Sequence, residues 1–203
     1  KYYNPNVKGY SVNSHIVEVC NDEYCIGKYH PEYDRYNAAQ SGSTTLNLIH
    51  QINYLKSQFN YSDIDKWKLI TLFIGANDLC GICNDKNFQP TLFKKNLKLA
   101  LQYLKLNFPK SFVNLPLIFN VSHVYELSKK TKYCTDIHRI IPSECSCAFD
   151  KKNGDKNRKI MDSDTKIYQK IMYDVAHEIN TDVYDNFTIV IQPMFAMTNI
   201  SKL

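Results

Sequence analysis

Apolar residues follow two rhythms along this chain, and the rhythms alternate. Over 68–75 the run Lys-Leu-Ile-Thr-Leu-Phe-Ile-Gly carries no charge after its first residue and is mostly branched or aromatic. Such a run predicts a strand buried on both faces, as in a parallel sheet. Residues 112–121 and 187–192 predict two further strands. Pro116 fits a central strand poorly and points to a bulge or an edge. Between these runs the spacing changes to three and four. Leu46, Ile49, Ile52 and Leu55 predict a helix over 43–57, with Ser43 able to cap it. Phe93, Leu97, Ala100, Leu101, Leu104 and Phe108 form the stripe of a helix over 90–108, which Pro109 ends. Ile160, Ile167, Ile171, Met172, Val175 and Ile179 do the same over 158–179.

The remaining segments are less regular. Residues 1–36 are polar and tyrosine-rich, with short extended pieces such as 16–19. Residues 79–89 read as a loop, 125–130 as a short helix, and 131–154 as an insertion with little periodicity. Strand-helix alternation with apolar strands predicts an α/β fold, a parallel sheet with right-handed crossovers. The 203 residues fit one domain over 1–203, without internal repeats.

Charge narrows the partners. With 25 basic and 20 acidic residues the net charge is +5, and the excess is diffuse apart from Lys151, Lys152, Lys156, Arg158 and Lys159. That pattern does not predict a nucleic-acid partner. No run of ~18 apolar residues predicts a membrane span.

Seven cysteines are many for a cytosolic enzyme of this size. Cys20 and Cys25 form one group, Cys80 and Cys83 a C-x-x-C, and Cys134, Cys145 and Cys147 a third. They fit disulfides in a secreted domain, a zinc site or a redox dithiol. Zinc requires four tetrahedral ligands, which Cys80, Cys83, Cys145 and Cys147 could supply. Disulfides are the leading reading, with pairing open. Four Asn-x-Ser/Thr sequences, at Asn60, Asn120, Asn186 and Asn199, lend support to a secretory route. Asn60 lies in a polar loop and is the best glycan acceptor, whereas Asn120 closes an apolar strand.

Candidate chemistry gathers where the first strand ends. Gly75 breaks the run, and Asn77 and Asp78 follow just past its carboxyl end, where ligands sit in open α/β sheets. Gly75 lacks a Cβ, so backbone can turn and substrate approach. Asn77 offers an uncharged N–H donor to an oxyanion. Alone, the stretch also reads as an ordinary turn. Upstream, Asn37-Ala38-Ala39-Gln40-Ser41-Gly42 places Gly42 before a helix amino end, where its N–H can point into the site.

Asn-x-Ala-x-x-Gly and then Gly-x-Asn-Asp, in this order, resemble the SGNH (GDSL) family of serine hydrolases. The wording of 67–85, Trp-Lys-Leu-Ile-Thr-Leu-Phe-Ile-Gly-Ala-Asn-Asp-Leu-Cys-Gly-Ile-Cys-Asn-Asp, is similar to its animal phospholipase B branch. So are Asn4-Pro5-Asn6-Val7-Lys8-Gly9-Tyr10-Ser11-Val12, Phe112-Val113-Asn114-Leu115, Tyr133-Cys134, Cys145-Ser146-Cys147, Asp185-Asn186-Phe187-Thr188 and Gln192-Pro193. The likeness runs from near residue 1 to about 195.

The resemblance implies a three-layer α/β/α sandwich with a parallel sheet. It implies hydrolysis of phospholipid or lysophospholipid acyl esters by a serine nucleophile, without metal or cofactor. The lipid would be met at a membrane surface, in a secreted protein or on an extracellular face. Asn77 and Gly42 would form the oxyanion hole. Asn37 and Asp78 would support it by fixing their loops, and Gly75 would leave room.

The family's nucleophile sits in Gly-Asp-Ser near the amino end of its domain, and its base in Asp-x-x-His near the carboxyl end. This chain is expected to hold neither Gly-Asp-Ser nor Asp-x-x-His. The nucleophile and the His/Asp pair are therefore expected outside it, in a domain incomplete at both ends and inactive as this chain alone. Gly9-Tyr10-Ser11-Val12-Asn13, Ser41, Ser43, Ser122-His123 and Asp136-Ile137-His138 lack the spacing or the context of replacements. Two other readings stand beside this one. One is a non-catalytic secreted module that keeps the fold and binds lipid or protein. The other is an SGNH esterase of acylated sugars.

Overall fold

The computed structural model describes residues 28–140, 145–180, 186–193 and 196–198, together with the backbone of 19–21 and 24–26. The extended piece at 16–18, the loop pieces of 1–18 and the Asn199 sequence lie outside the described residues.

The first elements are a short antiparallel pair, β1 (Val19–Asn21) and β2 (Tyr24–Ile26), with Cys20 opposite Cys25 in register. A single helical turn, α1 (Pro31–Asp34), follows. The main sheet has three parallel strands in the order β3 (Lys68–Thr71), β4 (Ser111–Pro116), β5 (Phe187–Gln192). Lys68 stands opposite Ser111, and Ser111 opposite Phe187. Helix α4 (Pro90–Asn107) connects β3 to β4, and α8 (Gly154–Asn180) completes the connection from β4 to β5. Helix α2 (Leu48–Gln58) packs on α4, α4 on α8, and α8 on β5. This is the α/β fold with a parallel sheet that the alternating rhythms predict.

Burial explains the layering. Phe93, Leu97, Ala100, Leu101 and Leu104 of α4 are buried, as are Met161, Tyr168, Met172 and Val175 of α8. They meet Leu72, Val113, Leu115, Phe187 and Ile189 from the sheet in one core. Removing apolar surface from water at roughly 25 cal/mol per Å² is the main force holding these layers together.

β3 ends at Thr71 and β4 at Pro116, short of the predicted 75 and 121, and the sheet departs from the sequence reading in two further places. β3 is not buried on both faces: Leu69 is 72% exposed and Phe73 43%, and Thr71 is exposed as well. Among the described residues β3 has a paired neighbour on one side only. An apolar run announces a buried strand but not which face is covered by this stretch of chain. The second departure is Pro116, which ends the central strand rather than an edge. Even-numbered carbonyls of β4 accept from β3, including Lys110 from Lys68 and Asn114 from Leu72. Pro116 follows in that series where β3 has ended, so its missing N–H breaks no ladder bond.

The irregular segments hold more helix than expected. Residues 79–89 contain the end of α3 (Ala76–Gly81) and a 3-10 turn at Lys86–Phe88. α5 (His123–Ser128) starts two residues early. The 131–154 insertion carries α6 (Lys132–Ile140) and α7 (Ser146–Phe149). α7 is one turn long, too short for a period to show. Two disulfides hold it, Cys80–Cys145 and Cys83–Cys147. These pairs use all four sulfurs that a zinc site would need as thiolates. Cys134 is a free, half-buried thiol.

The two bridges join the same pair of elements, α3 and α7. In the chain-entropy view the first, spanning 65 residues, contributes about 4 kcal/mol. The second then closes only a small additional ring and adds much less. Removing one pair by Cys→Ser should cost little in urea unfolding, whereas removing both should cost about 4 kcal/mol. Equal, additive losses would show that each bridge acts independently.

Candidate active site

The site begins with Gly75. Its φ is +109°, a conformation that favours glycine. A Cβ there would also stand 2.3 Å from Ile118 Cδ1. The chain therefore turns sharply out of the strand and opens α3 with Ala76, Asn77 and Asp78.

Asp78 is fully buried. Its carboxylate accepts the Thr45 N–H at 3.1 Å on both oxygens and the Thr45 hydroxyl at 2.6 Å. Thr45 opens the 3-10 turn Thr45–Asn47 that leads into α2. Within that turn the Thr44 N–H donates to Asn47 Oδ1 at 2.8 Å. From α2, Gln51 Nε2 donates to the Ser43 hydroxyl at 2.8 Å. The loop that follows Gly42 is thus fixed from below by its own helix and from the side by Asp78. Burial pushes the Asp78 carboxyl up to about 6, against the pull of the Thr45 donors.

Asn77 lies on the same seam. Its Nδ2 donates to the Ser43 carbonyl at 2.9 Å. An amide nitrogen carries two hydrogens. The Ser43 bond sets the amide plane with one of them and leaves the other for a second acceptor. Gly42, next to Ser43, has φ +76° and sits in a turn two residues ahead of Thr44. It is not directly at the helix start, because Ser43, Thr44 and the 3-10 turn intervene.

Asn37 is exposed, and its Oδ1 accepts the Ala39 N–H at 3.1 Å. That bond shapes its own loop rather than joining it to the Gly75 loop. Two tyrosines, not apparent from the sequence, hold this loop from behind. Tyr29 OH donates to the Ala38 carbonyl at 2.9 Å and Tyr54 OH to the Arg35 carbonyl at 3.0 Å. Their rings stack at 3.6 Å. Hydroxyl-to-carbonyl bonds have no sequence signature, and neither does Thr45, whose position reads as an ordinary first turn. Only the pairing of a buried Asp with a nearby capping threonine could have suggested it.

The other candidates are placed elsewhere or otherwise engaged. Buried Ser122 donates its hydroxyl to the Asp162 carboxylate. An Asp-x-x-His does occur in the chain, Asp174-Val175-Ala176-His177, against the expectation that no such His/Asp pair lies within it. It sits near the end of α8, where His177 is exposed and Asp174 pairs with Lys170 at 2.6 Å. Neither residue approaches Asn77 in the described contacts. An open groove of about 580 Å³ lies along β3, lined by residues 66–73, by Asn37–Ala39 and by Leu48, Ile52 and Leu55 of α2.

Comparison with known proteins gives a consistent result. The family model described as GDSL-like Lipase/Acylhydrolase matches residues 21–202. "Phospholipase B1, membrane-associated" of Mus musculus is 29% identical over 206 residues, covering 98% of this chain. The Rattus norvegicus protein of that name is 29% identical over 198 residues, covering 95%. The Homo sapiens protein is 29% identical over 206 residues, covering 98%. The chain spans 13% of the length of each of these relatives. No solved structure gives a significant match.

The Asp78 clamp has a signature in pH. An unfolded aspartate titrates near ~3.9, and the folded value is about 6. Between these values the folded protein binds the proton more readily than the unfolded chain. The stability contribution is therefore full below the window and is lost as pH rises through it, by about 3 kcal/mol. Unfolding free energy measured at pH 4 and pH 7 should show this fall in the native protein and not in Asp78→Asn. A difference that grows with pH would mean that the Thr45 donors outweigh burial.

Proposed function

Because the chain belongs to the GDSL-like lipase/acylhydrolase family, we propose that it supplies the oxyanion-stabilising part of a serine-type hydrolase of lipid acyl esters. The observation that carries this reading is the Asn77–Ser43 bond beside the Asp78–Thr45 clamp. Two loops from different parts of the chain meet there with fixed geometry at the carboxyl end of a parallel strand. Preorganised donors in such a place stabilise charge without reorganising during the reaction.

In the proposed reaction a serine from outside this chain attacks the ester carbonyl. A histidine, also from outside, takes the hydroxyl proton and later passes it to the leaving alcohol. As the carbonyl oxygen becomes negative, the second N–H of Asn77 and the N–H of Gly42 donate to it. Asp78 does not touch substrate; it is a positioning residue that acts through Thr45. Asn37 shapes the rim. The chemistry asks for no metal or cofactor. Lipid as the substrate class is supported by the relatives named phospholipase B1.

An extracellular or luminal setting is supported by the two disulfides, which persist in oxidising compartments. Among the described residues no helix is long and apolar enough to cross a membrane. Asn60 is exposed in the loop after α2, open to a glycosyltransferase. Made through a secretory route, the protein should lose mass on deglycosylation, and Asn60→Gln should remove that loss at this site.

The test of the hole uses the full-length protein and a lysophospholipid substrate. Asn77→Ala should lower kcat by about 10²–10³ and change KM little. An unchanged kcat removes Asn77 from the hole. A raised KM with kcat intact assigns it to substrate binding.

A further inference from the structure

Lys151, Lys152, Lys156, Arg158 and Lys159, close together in the sequence, fold into one corner around the ring of Tyr125. Arg158 Cζ lies 3.6 Å from the ring centroid and Lys129 Nζ 4.1 Å. Phe149 of α7 meets the same ring edge-on at 5.6 Å. Arg158 also donates to the Ala148 carbonyl at 2.6 Å. These contacts draw α5, α7 and the start of α8 together and leave Lys151, Lys152, Lys156 and Lys159 exposed. The neighbouring acids do not cancel the four lysines. Glu126 pairs with Lys129 and Asp155 with Arg158. Asp150 turns its Oδ1 to the N–H groups of Lys152 and Asn153. The corner keeps an excess of positive charge.

Its place in the fold is at the end of the sheet that holds Asn77. Ser122 donates to Asp162, and Asn120 Oδ1 accepts from the Thr165 hydroxyl at 3.5 Å. The loop beyond the carboxyl end of β4 therefore lies level with 162–165. A helix that joins two parallel strands runs back across the sheet, so the first turns of α8 project past that level. From Thr165 back to Lys156 is about 14 Å of helix. The start of α6 lies beside the corner: Thr135 Oγ1 donates to the Ser128 carbonyl at 3.0 Å. There Lys132 is exposed, and Tyr133 is 73% exposed. The exposed acceptor sequences at Asn60 and Asn186 lie ahead of β3 and β5, at the opposite end of the sheet. Glycans there would leave the basic corner clear.

This chemistry fits a surface rather than a single small anion. Lysines are flexible point charges without a fixed fork. Several of them around an exposed tyrosine match a phospholipid interface, where ammonium groups meet headgroup phosphates and carboxylates and a phenol rests at headgroup depth. We propose that this corner is a docking surface for anionic phospholipid, on which Lys151, Lys152, Lys156 and Lys159 rest among the headgroups and turn the Asn77 end of the sheet to the membrane. The docking rests on charge and placement; its use in bringing lipid esters to Asn77 rests on the hydrolase reading.

The experiment measures binding of the full-length protein to phosphatidylcholine vesicles with and without phosphatidylserine. Ether-linked lipids are used, so that binding is read without hydrolysis. Binding should need phosphatidylserine and weaken as salt is raised. Each lysine near an anionic surface strengthens binding about fivefold, so Lys151→Gln with Lys152→Gln should weaken it about 25-fold. Lys56→Gln with Lys110→Gln makes the same change of charge at the other end of the sheet and should weaken it by less than roughly threefold.

Equal losses in the two double variants overturn the proposal, because net charge and not the corner is then what binds. So does full binding by the corner variant, or equal binding to vesicles without phosphatidylserine. Retention on heparin at a salt concentration that releases the vesicles assigns the corner to a sulfated polysaccharide and overturns it as well. Labelling by a fluorophosphonate reads the hydrolase separately. A protein that labels but does not bind keeps the hydrolase and loses the docking surface. One that binds through the corner but does not label keeps the docking surface and loses the hydrolase.

Discussion

The site depends on one buried carboxylate. Asp78 lies in the first turn of α3, and Thr45 lies 33 residues earlier on the approach to α2. Nothing covalent joins the two loops there. Three donor contacts on Asp78 do so, and they bring the Ser43 carbonyl to Asn77. The arrangement is costly, since burial opposes the charge. A buried charge that loses its donors costs far more than the pair contributes when intact. The two loops therefore stay in one relative position or the fold opens locally, which is the rigidity that an oxyanion hole requires.

The rest of the molecule serves that position. Gly75 allows the turn because its φ is positive and Ile118 leaves no room for a Cβ. The α3–α7 disulfides hold the other end of the short helix that carries Asn77 and Asp78. At the opposite end of the sheet, Lys68 lies buried with its Nζ donating to the carbonyls of Ile64, Lys66 and Pro109. It ties the turn before β3 to the turn before β4. Burial and the neighbouring Lys110 hold its pKa below the usual lysine range.

The class of fold was legible because helix and strand periods differ and the segments are long. α4 and β5 follow their apolar stripes almost to the residue, whereas α8 starts at Gly154 rather than 158 and Ile167 of its expected stripe is exposed. Residues whose roles depend on a distant partner were not legible. Thr45 reads as one more first-turn threonine, and Tyr54 as a partly apolar helix position, because a bond to Asp78 or to the Arg35 carbonyl leaves no local mark. Exposure on β3 was hidden for a related reason: the apolar run at Leu69 and Phe73 does not tell which face of the strand is covered. The Gly-x-Asn-Asp and Asn-x-Ala-x-x-Gly sequences named the two loops. The disulfide pairing and the Asn77–Ser43 bond needed coordinates, since spacing is compatible with several partners.

The most direct test is a crystal structure of the full-length protein after reaction with a fluorophosphonate, whose phosphoryl oxygen occupies the place of the developing oxyanion. If this chain supplies the hole, that oxygen lies about 2.7–3.1 Å from both Asn77 Nδ2 and the Gly42 nitrogen. An oxygen held by other donors, with Asn77 turned wholly to the Ser43 carbonyl, would contradict it.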